Sequence, residues 1–338
     1  MNLNTALISI SLATLLLSCA QLGGREGGGD ALPNRGIMEY ENASLGEPPT
    51  DIVLAPASSS SQTFGEPTTV LVGELVYLYV HSTSWDGTGT ILLFTSQTRG
   101  TSFGESNVVA ESPAGTGGIL SSPSLSCIES TCVMAALAGQ PGAIYLADGP
   151  PEGPFVWRDS PVIEATEPFE AEGISSPSLV LENDHIKIYY TARSAPNVPT
   201  TIAGGQLGES GAFEKWGPLV RPNINCSESS GNEAPCWNQE GNREPEVKKA
   251  TSGTGRTLYR LLFTGSDGTA DKIGFAASWD GQSFEGFAYN PILEGGQTQV
   301  SNIRVGDSYL MYYVPPATWD AGKIGLAVNE QGNATEDF

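Results

Sequence analysis

The chain has 338 residues, with 38 acidic and 16 basic side chains and a formal charge of −22. That excess repels nucleic acid, anionic lipid surfaces and polyanionic ligands, and it favours solubility. The 41 glycines and 23 prolines, with no amphipathic helical pattern of any length, point to many turns and an all-β protein.

Residues 1–18 read as a signal peptide: a short polar start, then an apolar run from Ala6 to Leu17 that is too short to span a membrane. No Lys or Arg precedes that run, which departs from the usual pattern. Leu16-Leu17-Ser18-Cys19 resembles a bacterial lipobox. The resemblance implies cleavage before Cys19 and lipidation of that cysteine. With Ala20 following, it also implies a lipid-anchored protein of the bacterial outer membrane, facing the periplasm or the exterior. An ordinary signal peptide with an incidental Cys19 is the alternative. Residues 19–46 include GGREGGGD and read as a flexible glycine-rich tether.

From residue 47 to 330 one pattern recurs. Its anchor is a dipeptide X-Pro followed, two residues on, by a branched residue. It stands at Ser122-Pro123, Ser176-Pro177 and Glu244-Pro245, and more loosely at Glu66-Pro67. In the fifth copy, Val300-Ser301-Asn302-Ile303, Ser301 takes the proline's place. Positions 67, 123, 177, 245 and 301 are 56, 54, 68 and 56 residues apart. A second apolar run follows each anchor (LVYLYVH, CVMAAL, IKIYYTA, LYRLLFT, YLMYYV), then a third (TILLFTS, AIYLADG, TIAGGQL, KIGFAAS, KIGLAVN). Turn signals such as Ser266-Asp267-Gly268 and Trp279-Asp280-Gly281 separate them.

About four short strands per repeat is one propeller blade, so the sequence predicts a five-bladed β-propeller with blades starting near 66, 122, 176, 244 and 300. The last blade lacks an outer strand before the tail at 331–338. Asp51-Ile52-Val53-Leu54-Ala55-Pro56 supplies one, so that an N-terminal strand closes the ring. After Cys19, four cysteines remain, and in an exported protein they are expected as two local disulfides, Cys127–Cys132 and Cys226–Cys236. A zinc site is the alternative, but paired Cys-x-x-Cys knuckles are missing.

The repeat, with endings such as Ala277-Ser278-Trp279-Asp280-Gly281-Gln282-Ser283-Phe284, resembles the five-bladed propeller glycosidases. That superfamily includes arabinanase- and xylosidase-like enzymes with invertase-like and phosphorylase relatives. The resemblance covers about residues 50–330. It implies a funnel site at the starts of the inner strands, with an Asp base in blade one, an Asp tuning the acid in blade three and a Glu acid in blade four. Carried over by position, these fall on Glu66, Ser176 and Glu244. Glu66 is one methylene longer than the family's base, and Ser176 cannot act as a charged neighbour.

Two carboxylates at one mouth are the minimum for glycoside hydrolysis, provided their pKa values are pushed apart. Arg243 should lower the pKa of Glu244, and Glu246 should raise it. Pairing of Glu244 with Arg243 or another cation is the structural alternative. Glu172, near the same rim, is a further candidate acid. Ser122 and Ser176 should face the funnel. Trp85, Trp237 and Trp319 should surround it as stacking surfaces for sugar rings, although each could instead cap a blade edge.

These features predict a monomer that binds or processes a neutral glycan. No cofactor is expected, with a channel calcium ion left open, and no nucleic acid is expected as partner. A non-catalytic surface scaffold is the alternative. With Ser176 uncharged, the sequence favours binding over turnover, with Trp237 gripping the sugar.

Overall fold

The computed structural model describes residues 52–56, 62–84, 86–182, 185–223, 236–251, 256–287, 290–306, 308–316 and 322–329. The signal peptide, Cys19, the tether, Asp51, Trp85, Cys226, Trp319 and the tail lie outside these residues.

Alternating apolar and polar positions bounded by glycine turns form five antiparallel four-stranded sheets. Blade one is β2 (Thr63–Val72), β3 (Leu75–Thr83), β4 (Gly89–Ser96) and β5 (Asn107–Glu111). Blade two is β6 (Leu120–Ile128), β7 (Thr131–Ala138), β8 (Ala143–Gly149) and β9 (Val156–Trp157). Blade three is β10 (Gly173–Leu181), β11 (Ile186–Arg193), β12 (Thr201–Leu207) and β13 (Phe213–Val220). Blade four is β14 (Gly241–Thr251), β15 (Thr257–Ser266), β16 (Asp271–Ser278) and β17 (Glu285–Gly286). Blade five is β18 (Thr298–Val305), β19 (Ser308–Val314), β20 (Ile324–Asn329) and, as its outer strand, β1 (Ile52–Leu54). The inner strands β2, β6, β10, β14 and β18 each touch the next around a closed ring. This is the five-bladed propeller that the repeat predicts.

The N-terminal strand closes it. Ile52 pairs with Gly325 and Leu54 with Ile324, and Leu54 is buried beside Phe64, Val76 and Leu326. Deleting residues 51–56 should expose the edge of β20 and remove a buried leucine that contributes about 1.5–3 kcal/mol. The melting temperature should therefore fall; a parent-like melt would show that β1 does not hold the ring.

Two side-chain devices bind the blades. Inner strands have a free edge on the channel, so some of their N–H groups need partners from outside the ladder. In four of the five blades the hydroxyl two residues after the first residue of the inner-strand bulge supplies one. Thr68 accepts from Leu125 N–H (3.4 Å), Ser124 from Leu179 (2.8 Å), Ser178 from Val247 (2.8 Å) and Ser301 from Thr69 (3.1 Å). In the odd-numbered blades a buried tyrosine on the second strand reaches across to the next blade. Tyr79 donates to Pro151 O (2.6 Å), Tyr189 to Gly281 O (2.9 Å) and Tyr312 to Gly100 O (2.7 Å).

Cys127 and Cys132 face each other across the β6–β7 hairpin and are disulfide-bonded. Cys236 is also in a disulfide; Cys226, its expected partner, lies outside the described residues. The Trp279-Asp280-Gly281 turn is locked by its own chemistry. Asp280 accepts from Ser278 Oγ and from the N–H groups of Gln282 and Ser283, which together hold its carboxyl at about 2 against the cost of burial.

Candidate active site

One device in the inner strands builds the site. Each carries a bulge at the same point, where two residues oppose a single residue of the second strand. The first bulge residue is left-handed in all five blades: Glu66 (φ 51°), Ser122 (51°), Ser176 (48°), Glu244 (54°) and Gln299 (52°). The second is Pro67, Pro123, Pro177, Pro245 or Val300. Proline is tolerated because the ladder is interrupted there. A left-handed non-glycine residue costs roughly 1–2 kcal/mol, and five such residues converge on one ring. Together they form the throat of the channel.

The fifth anchor corrects the sequence reading by one residue. Val300, not Ser301, occupies the proline position, and Ser301 belongs to the row of stitching hydroxyls. Aligning the corresponding positions, four hydroxyls (Thr68, Ser124, Ser178, Ser301) and Glu246 in blade four, places Gln299 in the throat.

The five bulge residues surround a cavity of about 30 Å³, enough for a water molecule or two and too small for a sugar ring. Within it, Gln299 joins the two carboxylate residues. Its Oε1 accepts from Glu66 N–H (3.0 Å), and its own N–H donates to Glu244 Oε2 (3.1 Å).

Glu66 is held as an anion. Ser122 donates to it through both Oγ and N–H, each at 2.5 Å, and His81 Nδ1 stands 3.2 Å from Oε2. His81 Nε2 is in turn 3.0 Å from Thr83 Oγ1. Burial alone would raise the pKa of Glu66. The His81 bond and charge, with the Ser122 bonds, outweigh burial and lower it.

Glu244 shifts the other way. Burial is the largest cause, and the charge of Glu66 adds to it. Arg243 (3.5 Å), Thr264 Oγ1 (2.7 Å) and the Gln299 N–H oppose the rise without cancelling it. Arg243 is shared with Asp271 Oδ2 at 2.6 Å, which dilutes its pull. Glu244 N–H donates to Thr191 Oγ1 at 2.9 Å.

Other expected site residues are placed differently. Ser122 and Ser176 do line the throat. Glu246 faces the same cavity, but its carboxylate is taken by Ser301 Oγ (2.8 Å) and Lys248 Nζ (3.0 Å). The rise expected from Glu246 comes instead from burial and from Glu66. Glu172 is exposed and lines no part of the throat. Its neighbour Glu170 is the buried carboxylate, and Tyr190, Lys215 and the N–H groups of Thr166 and Glu167 saturate it.

Trp237 is not a stacking surface. It is 7% exposed, packs on Phe263 with ring centroids 5.6 Å apart, and fills the space left by Gly265 and Gly274, where a Cβ would meet the indole at 2.2 Å. Glycines on two adjacent strands beside a tryptophan were the sequence signal for this packing.

No protein-family model and no curated protein matches this chain. Solved structures do: the fold is that of the glycoside hydrolase propellers. A thermostable family-43 glycoside hydrolase is 15% identical with a TM-score of 0.58, over 81% of this chain and 92% of its own. Zg3597, a family 117 glycoside hydrolase of the marine bacterium Zobellia galactanivorans, is 13% identical with a TM-score of 0.59, over 83% and 90%. A structure from the GH130 family, described as mannoside phosphorylases that include hydrolases of β-1,2 mannosidic linkages in Candida mannan, is 12% identical with a TM-score of 0.57, over 88% and 96%.

Proposed function

We propose that the protein is an extracytoplasmic, lipid-anchored propeller that hydrolyses glycosidic bonds in a neutral glycan. Glu66 serves as general base and Glu244 as general acid. One observation carries this reading: two carboxylates of one throat are pushed in opposite directions, Glu66 toward the anion and Glu244 toward the neutral acid. That is the division of labour the reaction requires. Gln299 spans them, and Ser122 and His81 orient the base. The sugar itself would sit above the throat, with water below it.

A lectin-like propeller without turnover is the second reading. Ser176 in place of a charged tuning residue and the narrowness of the cavity favour it. A neutral-glycan array coupled to a hydrolysis screen separates the two. The first reading expects release of reducing ends from at least one bound glycan. Binding without release from any array member would establish the second, and neither binding nor release would leave a scaffold.

Anchoring through Cys19 has its own test. Cys19→Ser should leave either a soluble mature protein or an uncleaved precursor. Normal membrane retention with a normal mature mass would rule out lipidation there.

A further inference from the structure

The opposite end of the channel is chemically unlike the throat. The later halves of all five inner strands enclose a second cavity of about 490 Å³, large enough for a monosaccharide. Among the described residues its walls include Lys248, Lys249, Arg260 and Arg304 and no Asp or Glu. In a chain with 38 acidic and only 16 basic residues, four cations and no acid among the described lining residues is a local reversal of charge.

Part of that charge is already compensated. Lys248 meets Glu246 at 3.0 Å and Lys249 meets Glu182 at 2.7 Å. Arg260 is not compensated. It stands directly across the β14–β15 ladder from Lys248, a like-charge pairing that destabilises a sheet. No carboxylate among the described residues pairs with it. Its Nε is closed off from solvent without a hydrogen-bond partner, and one terminal N–H reaches the Tyr309 hydroxyl only at 3.4 Å. The guanidinium lies 5.3 Å from the Tyr309 ring centroid, and that of Arg304 lies 5.8 Å from the same centroid. One ring thus holds two guanidinium groups at the cavity wall, of which Arg304 already donates through Nε to Gly306 O (3.0 Å). Guanidinium geometry suits bidentate contact with an oxyanion, and an oxyanion would supply the counter-charge that Arg260 lacks.

We propose that this far mouth is a second ligand site, for a carboxylate, phosphate or sulfate group on a molecule of up to monosaccharide size. It is independent of the glycosidase reading, because it shares no residue with the throat pair. The test is calorimetric titration of the full chain with inorganic phosphate, inorganic sulfate and glucuronate at fixed ionic strength, with glucose as the neutral control.

The expected result is binding of at least one of the three anions, no matching signal from glucose, and affinity at least about tenfold weaker in Arg260→Gln, the scale of one lost charge-assisted bond. Binding of phosphate or sulfate alone would identify a free oxyanion as the ligand; glucuronate binding would identify an acidic sugar. Arg304→Gln, on the same tyrosine, is the second variant should Arg260→Gln melt early. Failure of all three anions to bind the folded parent would overturn the proposal. So would affinities unchanged in both variants, or glucose binding as tightly as glucuronate.

Discussion

Glu244→Gln and Glu66→Gln should each lower turnover of a responsive glycoside by about 10²–10⁴-fold, the usual contribution of one proton-transfer group. Gln keeps the size of the side chain. It can still accept from Thr264 and the Gln299 N–H at position 244, or from Ser122 at position 66, so the bulge and ring should survive. Circular dichroism and melting curves should be close to those of the parent.

The pH profile separates the two roles. Glu66, with its pKa lowered, works once ionised, so the acid limb of activity reports its deprotonation. Glu244, with its pKa raised, works while protonated, so activity should fall as pH rises through its raised value. Thr264→Val removes a side-chain hydrogen bond that lowers the pKa of Glu244, so the alkaline limb should move to higher pH; an unchanged limb would argue that another group sets it. Turnover that persists in both Gln variants would remove the pair from the chemistry.

Trp237→Ala should cost about 3–5 kcal/mol, the usual price of emptying a core aromatic site. At roughly 2–4 °C per kcal/mol for a domain of this scale, the melting temperature should drop by about 10 °C. The loss arises in blade four, where the indole fills the hollow made by Gly265 and Gly274 against Phe263. Glycan affinity in the surviving folded fraction should be unchanged. A variant that melts like the parent but loses glycan binding would return Trp237 to the surface.

The fold was legible because each blade repeats its physics. Within the inner strands proline occurs only at the bulge, small polar turns separate the strands, and the second strands of the odd-numbered blades carry tyrosines. The two throat carboxylates were legible for the same reason, since the residue before a bulge proline has one place to go. Gln299 was obscured because Val300 replaces the proline, which shifts the apparent register by one. The partners of Glu66 were invisible for a different reason. His81, 15 residues on, is returned by the β2–β3 hairpin, where it pairs with Gly65, and Ser122, 56 residues on, is brought in only by the packing of blade two against blade one. The upward shift of Glu244 was not legible in Arg243, Glu246 and Ser176, because its largest cause is burial. Burial and Glu66 supply what Ser176 lacks. Trp237 was misplaced because an aromatic in a polar loop reads the same whether its ring points outward or into a glycine-lined hollow.

The pairing of β1 with β20 also sets a timetable. Ile52 and Gly325 are separated by nearly the whole domain, so the first strand to be synthesised must wait for the last before it can pair. Contacts of such high sequence separation form slowly, and the four preceding blades can assemble while blade five is still an open sheet with one seat vacant. While folding, the chain would pass through a stage in which that vacancy could accept a strand from a second copy, making mispaired dimers the characteristic failure. A chain truncated just before β20 should be trapped at that stage and aggregate, even with every throat residue present.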